Sequence, residues 1–379
     1  MALYLSNNNH VTVLAGIPNY PTGNIYPGYS LRWMMKETID RVNVIRTFVV
    51  PLENAGFFRR SVNYVSYFIS GLINGIKEIR KPDVIIASSP QLLTGLLGLI
   101  ISRIKKAKFI LDIRDIWPDS IVAMGLLQKG PVLSLLRSLE RKLYRGADRI
   151  IVISEGMKEQ IHKKNVPIEK ISVLPNCVDI GECKKVTSKI TLNIPSDHFI
   201  ACYAGNHSKA QNIEQVFESA VYSERKHYPI SYIFIGEGEE KEKMVQCAQV
   251  EQLKNIHFIP HQKFNKLLEY IALSDICITS LMQQPLFYSA IPTKTLEYMS
   301  CEKPVLFFGN NFFGKIIEEK HMGVYVNSAD ISRIPEAIVS VCSNEEKKNT
   351  MGKNGRQYIE KHYSLNSFNE GIQHILEQL

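Results

Sequence analysis

One feature limits what this chain can become more than any other: short β-branched runs alternate with amphipathic stretches of helix length. Strands read at 11–16, 42–50, 84–89, 109–115, 149–154 and 171–176. A second set reads at 199–205, 231–238, 256–260, 276–281, 304–309 and 323–326. Alternation of this kind builds parallel sheets covered by helices. The fold class is therefore α/β, with two Rossmann-like domains over 1–180 and 181–364. A length of 379 residues agrees, since a single core rarely grows so large. The turn at 174–179 and the polar stretch to Ser196 form the linker. A doubly wound domain usually opens on its central strand. This chain opens on a helical Ala2-Leu-Tyr-Leu5 and passes straight to the strand at 11–16, so the innermost strand is expected to be missing.

Composition excludes several classes. A hydrophobic share of 45% and a charged share of 22% suit a folded chain and argue against disorder. The start carries no basic region and no apolar core of a leader, and the apolar stretch 92–101 is too short to span a bilayer. Seven cysteines, none before Cys177 and none in a C-x-x-C pair, support neither a disulfide framework nor a zinc site. These features predict a cytosolic protein. Charge is uneven: residues 1–180 hold 24 Lys+Arg and 14 Asp+Glu, a net +10, and the remainder holds 21 and 23, a net −2. An anionic partner for the first half follows. Two basic helices there, at 57–81 and 137–149, suit either an anionic membrane surface or a core-packed helix with a solvated basic face.

The segment 291–305 carries the sharpest chemistry. Pro292 fits the first turn of a helix, Thr293 follows, and Lys294 and Glu297 then share one face near its N-terminus. Free amides, a helix dipole and a lysine suit phosphate, and a carboxylate one turn on suits two ribose hydroxyls. The plainer reading is a surface Lys–Glu pair. Gly205 and Asn206 end the first strand of the second half, and Gly236, Glu237 and Gly238 end the next; each is a phosphate-side turn or an ordinary turn. Neither forms G-x-G-x-x-G, so a nicotinamide dehydrogenase is excluded. In the first half Asp112, Arg114, Asp115, Trp117 and Asp119 close a buried strand, where an α/β domain binds its ligand. The proline-stiffened loop at 16–23 ends another strand on the same side. His10, His207 and His261 lack metal-ligand spacing and are expected at the surface or in hydrogen bonds; no metal site is expected.

Taken together, GIPNYPTGNIYPGY, DIRDIWPDS, RIIVISEGMK, LPNCVD, YAGN, FIGEGEE and IPTKTLEYMSCEKPV resemble bacterial family 4 glycosyltransferases of the GT-B architecture. They look most like the WbuB-like N-acetylfucosamine transferases of O-antigen and capsule assembly. The resemblance implies two facing domains, with a UDP-sugar donor on the second and no cofactor or metal. It also implies an undecaprenyl-diphosphate-linked saccharide as acceptor at the inner face of the plasma membrane, transfer with retention, no nucleic acid partner, and a final helix (365–379) returning to the first domain. By similarity Glu297 holds the ribose and Lys294 touches the diphosphate. Gly205, Asn206 and Gly236 to Gly238 line the phosphate side, and Ile259 to His261 hold the uracil edge. Asp115 and Asp119 are candidates for orienting the acceptor. Ser289 stands where many relatives carry a second Glu, eight positions before Glu297, and Cys177 stands where Gly is usual.

Two rival classes share these features, a sugar-nucleotide epimerase and an inactive paralogue that binds a partner transferase. Relative to similar proteins roughly twenty residues, the first strand and its loop, are absent from the start. Removing a central strand leaves unpaired backbone groups on both neighbours. A chain with that strand restored is expected to melt higher and turn over faster; equal melting temperature and turnover would refute the expectation.

Overall fold

The computed structural model describes the chain at all but residues 20–22, 53–56, 124, 126, 184–189 and 328–329. Part of the loop predicted at 16–23 and part of the linker therefore lie outside the described residues. Two compact units result, Met1–Leu174 with Gly371–Leu379, and Pro175–Glu370. The first boundary falls six residues before the expected one, at the Pro175 that ends the last strand's run.

The first unit holds two sheets. In one, β1 (Thr12–Gly16) pairs parallel with β3 (Val42–Thr47), which pairs antiparallel with β2 (Met34–Ile39). The other is parallel throughout, in the order β4 (Val84–Ser89), β5 (Lys108–Ile113), β6 (Arg149–Val152), β7 (Ile171–Val173). β1 and β4 thus pair on one side only. The Tyr67 hydroxyl donates to the Leu14 carbonyl of β1 at 3.0 Å. β2 is absent from the sequence reading because Lys36 and Glu37 interrupt any apolar run; its stability comes from pairing, with Arg46 reaching Glu37 at 2.6 Å across the ladder. β5 is the buried strand of this unit, its Phe109, Leu111 and Ile113 packing against Leu143, Ile150 and Val152.

Two helices of this unit differ from expectation. The first runs Phe57–Glu78 and exposes Val65, Ile69 and Ile73, a stripe at four-residue spacing. The second runs Pro131–Gly146, beginning six residues earlier than predicted because Pro131 opens its first turn; Arg149 belongs instead to β6. Its outer face exposes Val132 and Leu135 near the start and Arg141, Lys142 and Arg145 near the end. Its inner face carries Glu140, buried and bonded by the Tyr144 hydroxyl at 2.9 Å and by Lys164.

The second unit is one parallel sheet of six strands. Their order is β10 (Ile256–Ile259), β9 (Ile230–Ile235), β8 (Phe199–Ala204), β11 (Ile276–Ser280), β12 (Val305–Phe308), β13 (Gly323–Val326). Every residue of β9, β11 and β12 is buried, which explains why these strands read as largely apolar runs, with Ser231, Thr279 and Ser280 the polar residues among them. Side chains alternate between two cores. Tyr203, Phe234, Ile278 and Phe308 face one, and Cys202, Ile233, Cys277 and Phe307 face the other.

Removing the cation beside Glu140 leaves a buried carboxylate uncompensated. Lys164→Met is expected to cost about 3 kcal/mol in denaturant unfolding, and Lys164→Met with Glu140→Gln much less.

Candidate active site

The site in the second unit is built where the strands end. Past β8, Gly205 N–H donates to the Ile235 carbonyl at 2.9 Å and His207 N–H to the Glu237 carbonyl at 2.9 Å. Past β9, Gly236 N–H donates to the Ile259 carbonyl at 3.1 Å, and the Glu237 carboxylate accepts from His261 N–H at 3.2 Å and Lys241 at 2.8 Å. Three strand-end loops are thereby tied edge to edge. The amides of Gly205, His207 and Gly236 are thus committed to carbonyls, and that of His261 to a carboxylate. Glycine is required at two points. Gly236 has φ 137° and a Cβ there would lie 2.0 Å from the Gly205 carbonyl oxygen. Gly238 has φ 156° and a Cβ there would lie 2.3 Å from the His207 oxygen. Asn206 stays exposed, and its carbonyl accepts from the Tyr203 hydroxyl at 2.8 Å. After this loop comes a 3-10 turn, Lys209–Gln211, and a full helix begins only at Ile213.

At Thr293–Ser300 Pro292 takes the N-cap place rather than the first helical one; Thr295 N–H donates to the Pro292 carbonyl at 3.0 Å, and the amides of Thr293 and Lys294 have no partner among the described residues. Thr293 is exposed, and its hydroxyl lies 3.5 Å from the Asn176 amide, a neighbour the sequence reading did not single out. Lys294 and Glu297 share this helix but form no ion pair, which removes the plainer reading of a surface pair. Lys294 turns to β8 instead: its Nζ donates to the Tyr203 hydroxyl at 2.8 Å and lies 4.0 Å from that ring's centroid. Lys294 is half-buried, and desolvation pulls its ammonium down to about 7 against a weaker opposing field from Glu297. Burial pushes the Glu297 carboxyl up, and Lys294 opposes that shift.

One expectation fails here. His207 is neither at the surface nor hydrogen-bonded through its ring: the imidazole is fully buried and neither nitrogen has a partner among the described residues. Burial, then Lys241, push it down to about 4, so it is neutral at ordinary pH. Ser289 is buried in a short turn, Pro285–Ser289, and brings no carboxylate near the helix start.

In the first unit the carboxylates past β5 are partly spent on the fold. Asp112 is buried and accepts from Ser88 at 2.8 Å and Arg114 at 2.9 Å. Asp119 binds Lys164 at 2.6 Å and lies 3.5 Å from Arg137, joining the Glu140 network. Asp115 has neither kind of cation partner, and burial raises its carboxyl above the usual range. Among the described residues no cluster of His, Cys, Asp or Glu is placed to hold a metal ion. Among those residues, too, no helix is long and apolar enough to cross a membrane.

Comparison with known proteins fits this anatomy. Residues 6–177 match a glycosyl transferase 4-like domain and 185–358 match glycosyl transferases group 1. The colanic acid biosynthesis glycosyl transferase WcaI of Escherichia coli is 25% identical over 311 residues, 79% of this chain and 75% of WcaI. Sucrose-phosphate synthase of Thermosynechococcus elongatus superposes with a TM-score of 0.75 at 15% identity, over 100% of this chain and 90% of that one. HepE of Anabaena, solved with UDP, gives a TM-score of 0.65 at 15% identity over 89% of this chain and 86% of HepE. At such identities these structural likenesses show the fold alone.

The depressed Lys294 has a measurable consequence. Between about pH 7 and the ordinary lysine range the unfolded chain binds the proton that the native chain lacks, so this group's penalty on stability shrinks as pH rises. Lys294→Met is therefore expected to raise the melting temperature most at pH 6–7, with the gain fading toward pH 10.

Proposed function

Because the chain is a glycosyltransferase of the GT-B architecture, we propose that it moves a sugar from a UDP-sugar to a lipid-linked saccharide in bacterial polysaccharide assembly. The observation that carries this reading is the start of the Thr293–Ser300 helix, which offers free amides, the Lys294 ammonium and the Glu297 carboxylate together. Amides and ammonium stabilise the charge that develops on the departing nucleoside diphosphate. The reading therefore assigns that task to the protein's own groups and is metal-independent. Glu297, ionised, accepts from the two ribose hydroxyls. Gly236, Glu237 and Gly238 line the phosphate side with Gly205 and Asn206, and Ile259 to His261 face the uracil.

The acceptor is an undecaprenyl-diphosphate-linked saccharide met by the first unit. The net +10 of residues 1–180 favours a diphosphate lipid and an anionic bilayer surface. Val132 and Leu135, exposed beside Arg141, Lys142 and Arg145, suit adsorption to such a surface on the cytoplasmic side. Asp115 is the better placed carboxyl for orienting an acceptor hydroxyl, since Asp119 is held by Lys164. Family 4 membership, retention, O-antigen or capsule as product, and a donor sugar of the N-acetylfucosamine type rest on the sequence resemblance; the WcaI likeness supports polysaccharide assembly in general.

Calorimetric titration of UDP tests the donor site. Wild type should bind and Glu297→Ala should lose at least about tenfold in affinity, the scale of a lost charge-assisted hydrogen bond. Equal affinities would remove Glu297 from the site, and no binding by wild type would remove UDP as the nucleotide.

A further inference from the structure

Tyr203 is the last residue but one of β8, almost fully buried, and its phenol is kept in the neutral form by burial. A neutral phenol has one hydrogen to give and lone pairs to receive. Here both are used: the hydrogen goes to the Asn206 carbonyl at 2.8 Å, and a lone pair takes Lys294 Nζ at 2.8 Å. The ammonium also sits 4.0 Å from the ring centroid, and a Cβ on Gly205 would come within 2.9 Å of it. Ring, hydroxyl and bare glycine Cα therefore form a slot of one shape, and the lysine head lies in it rather than on Glu297 one turn away. Phenylalanine would pack as well at this buried position, so core packing alone does not account for the hydroxyl.

We propose that Tyr203 is a positioning residue: its hydroxyl ties the Lys294 ammonium to the backbone of the Gly205–Asn206 turn, at the place where the donor's diphosphate is bound. This rests on the donor-site reading above and adds to it a residue that the sequence hides as core. The tie means that lysine head and turn are held as one rigid unit, so that little rotamer freedom is lost when an anion arrives. Other charged or titratable groups facing the ammonium are Glu297 on its own helix, Cys202 in β8 and the neutral His207; Glu237 and Lys241 lie beyond, paired with each other.

The test is a double-mutant cycle of Tyr203→Phe and Lys294→Met, titrated with uridine, UMP and UDP from pH 6 to 9. Tyr203→Phe should weaken UDP about tenfold and leave uridine unchanged. In the Lys294→Met background it should add nothing. Additive losses, or equal losses for uridine and UDP, would overturn the proposal. A second readout needs no nucleotide. The stability difference between wild type and Lys294→Met begins to fade with rising pH at the native pKa of Lys294; without the hydroxyl to accept from the ammonium, that onset should move to lower pH in Tyr203→Phe. An unmoved onset overturns the proposal even if UDP proves to be the wrong nucleotide, and a moved onset upholds the tie in that case.

Discussion

The contact between the Gly205 carbonyl and the Cα of Gly236 governs the second unit's working end. Two neighbouring strands end there so close together that no side chain fits between them. The same approach lets Gly205 bond Ile235, Gly236 bond Ile259 and His207 bond Glu237. Three loops of separate origin become one stiff rim, and Tyr203 and Lys294 are held against it. A pre-set rim of this sort has little left to order.

The first unit solves a different problem with its charges. Carboxylates at 112 and 119 look, in the sequence, like a reactive cluster at a strand end. Each is held by a cation, Asp112 by Arg114 and Asp119 by Lys164, and Lys164 also neutralises the buried Glu140. One lysine thus joins the helix after β5 to the helix before β6. Burial pushes the Asp115 carboxyl up.

Much of this was legible in the sequence. All six strands of the second unit appear as apolar runs because both faces of a parallel sheet are covered, and Lys294 and Glu297 fall on one short helix because Pro292 marks its start. What was hidden had physical reasons. β2 carries alternating charge and is held by its partner strand, so no local pattern announces it. Tyr203 looks like any core aromatic, and only the fold brings a lysine 91 positions away onto its hydroxyl. His207 sits among polar residues in the chain and was expected at the surface or in hydrogen bonds; the fold buries it completely.

The two units differ in how far their ladders extend. In the second, four of six strands have a neighbour on both sides; in the first, two short ladders leave β1 and β4 bonded on one side each. Backbone amides on a one-sided strand are freed by smaller fluctuations than those in the middle of a sheet. Hydrogen exchange would accordingly be quick at the one-sided strands, β1, β2, β4 and β7 of the first unit and β10 and β13 of the second, and slowest in β8 and β11. On heating, the first unit would soften while the second still held its rim.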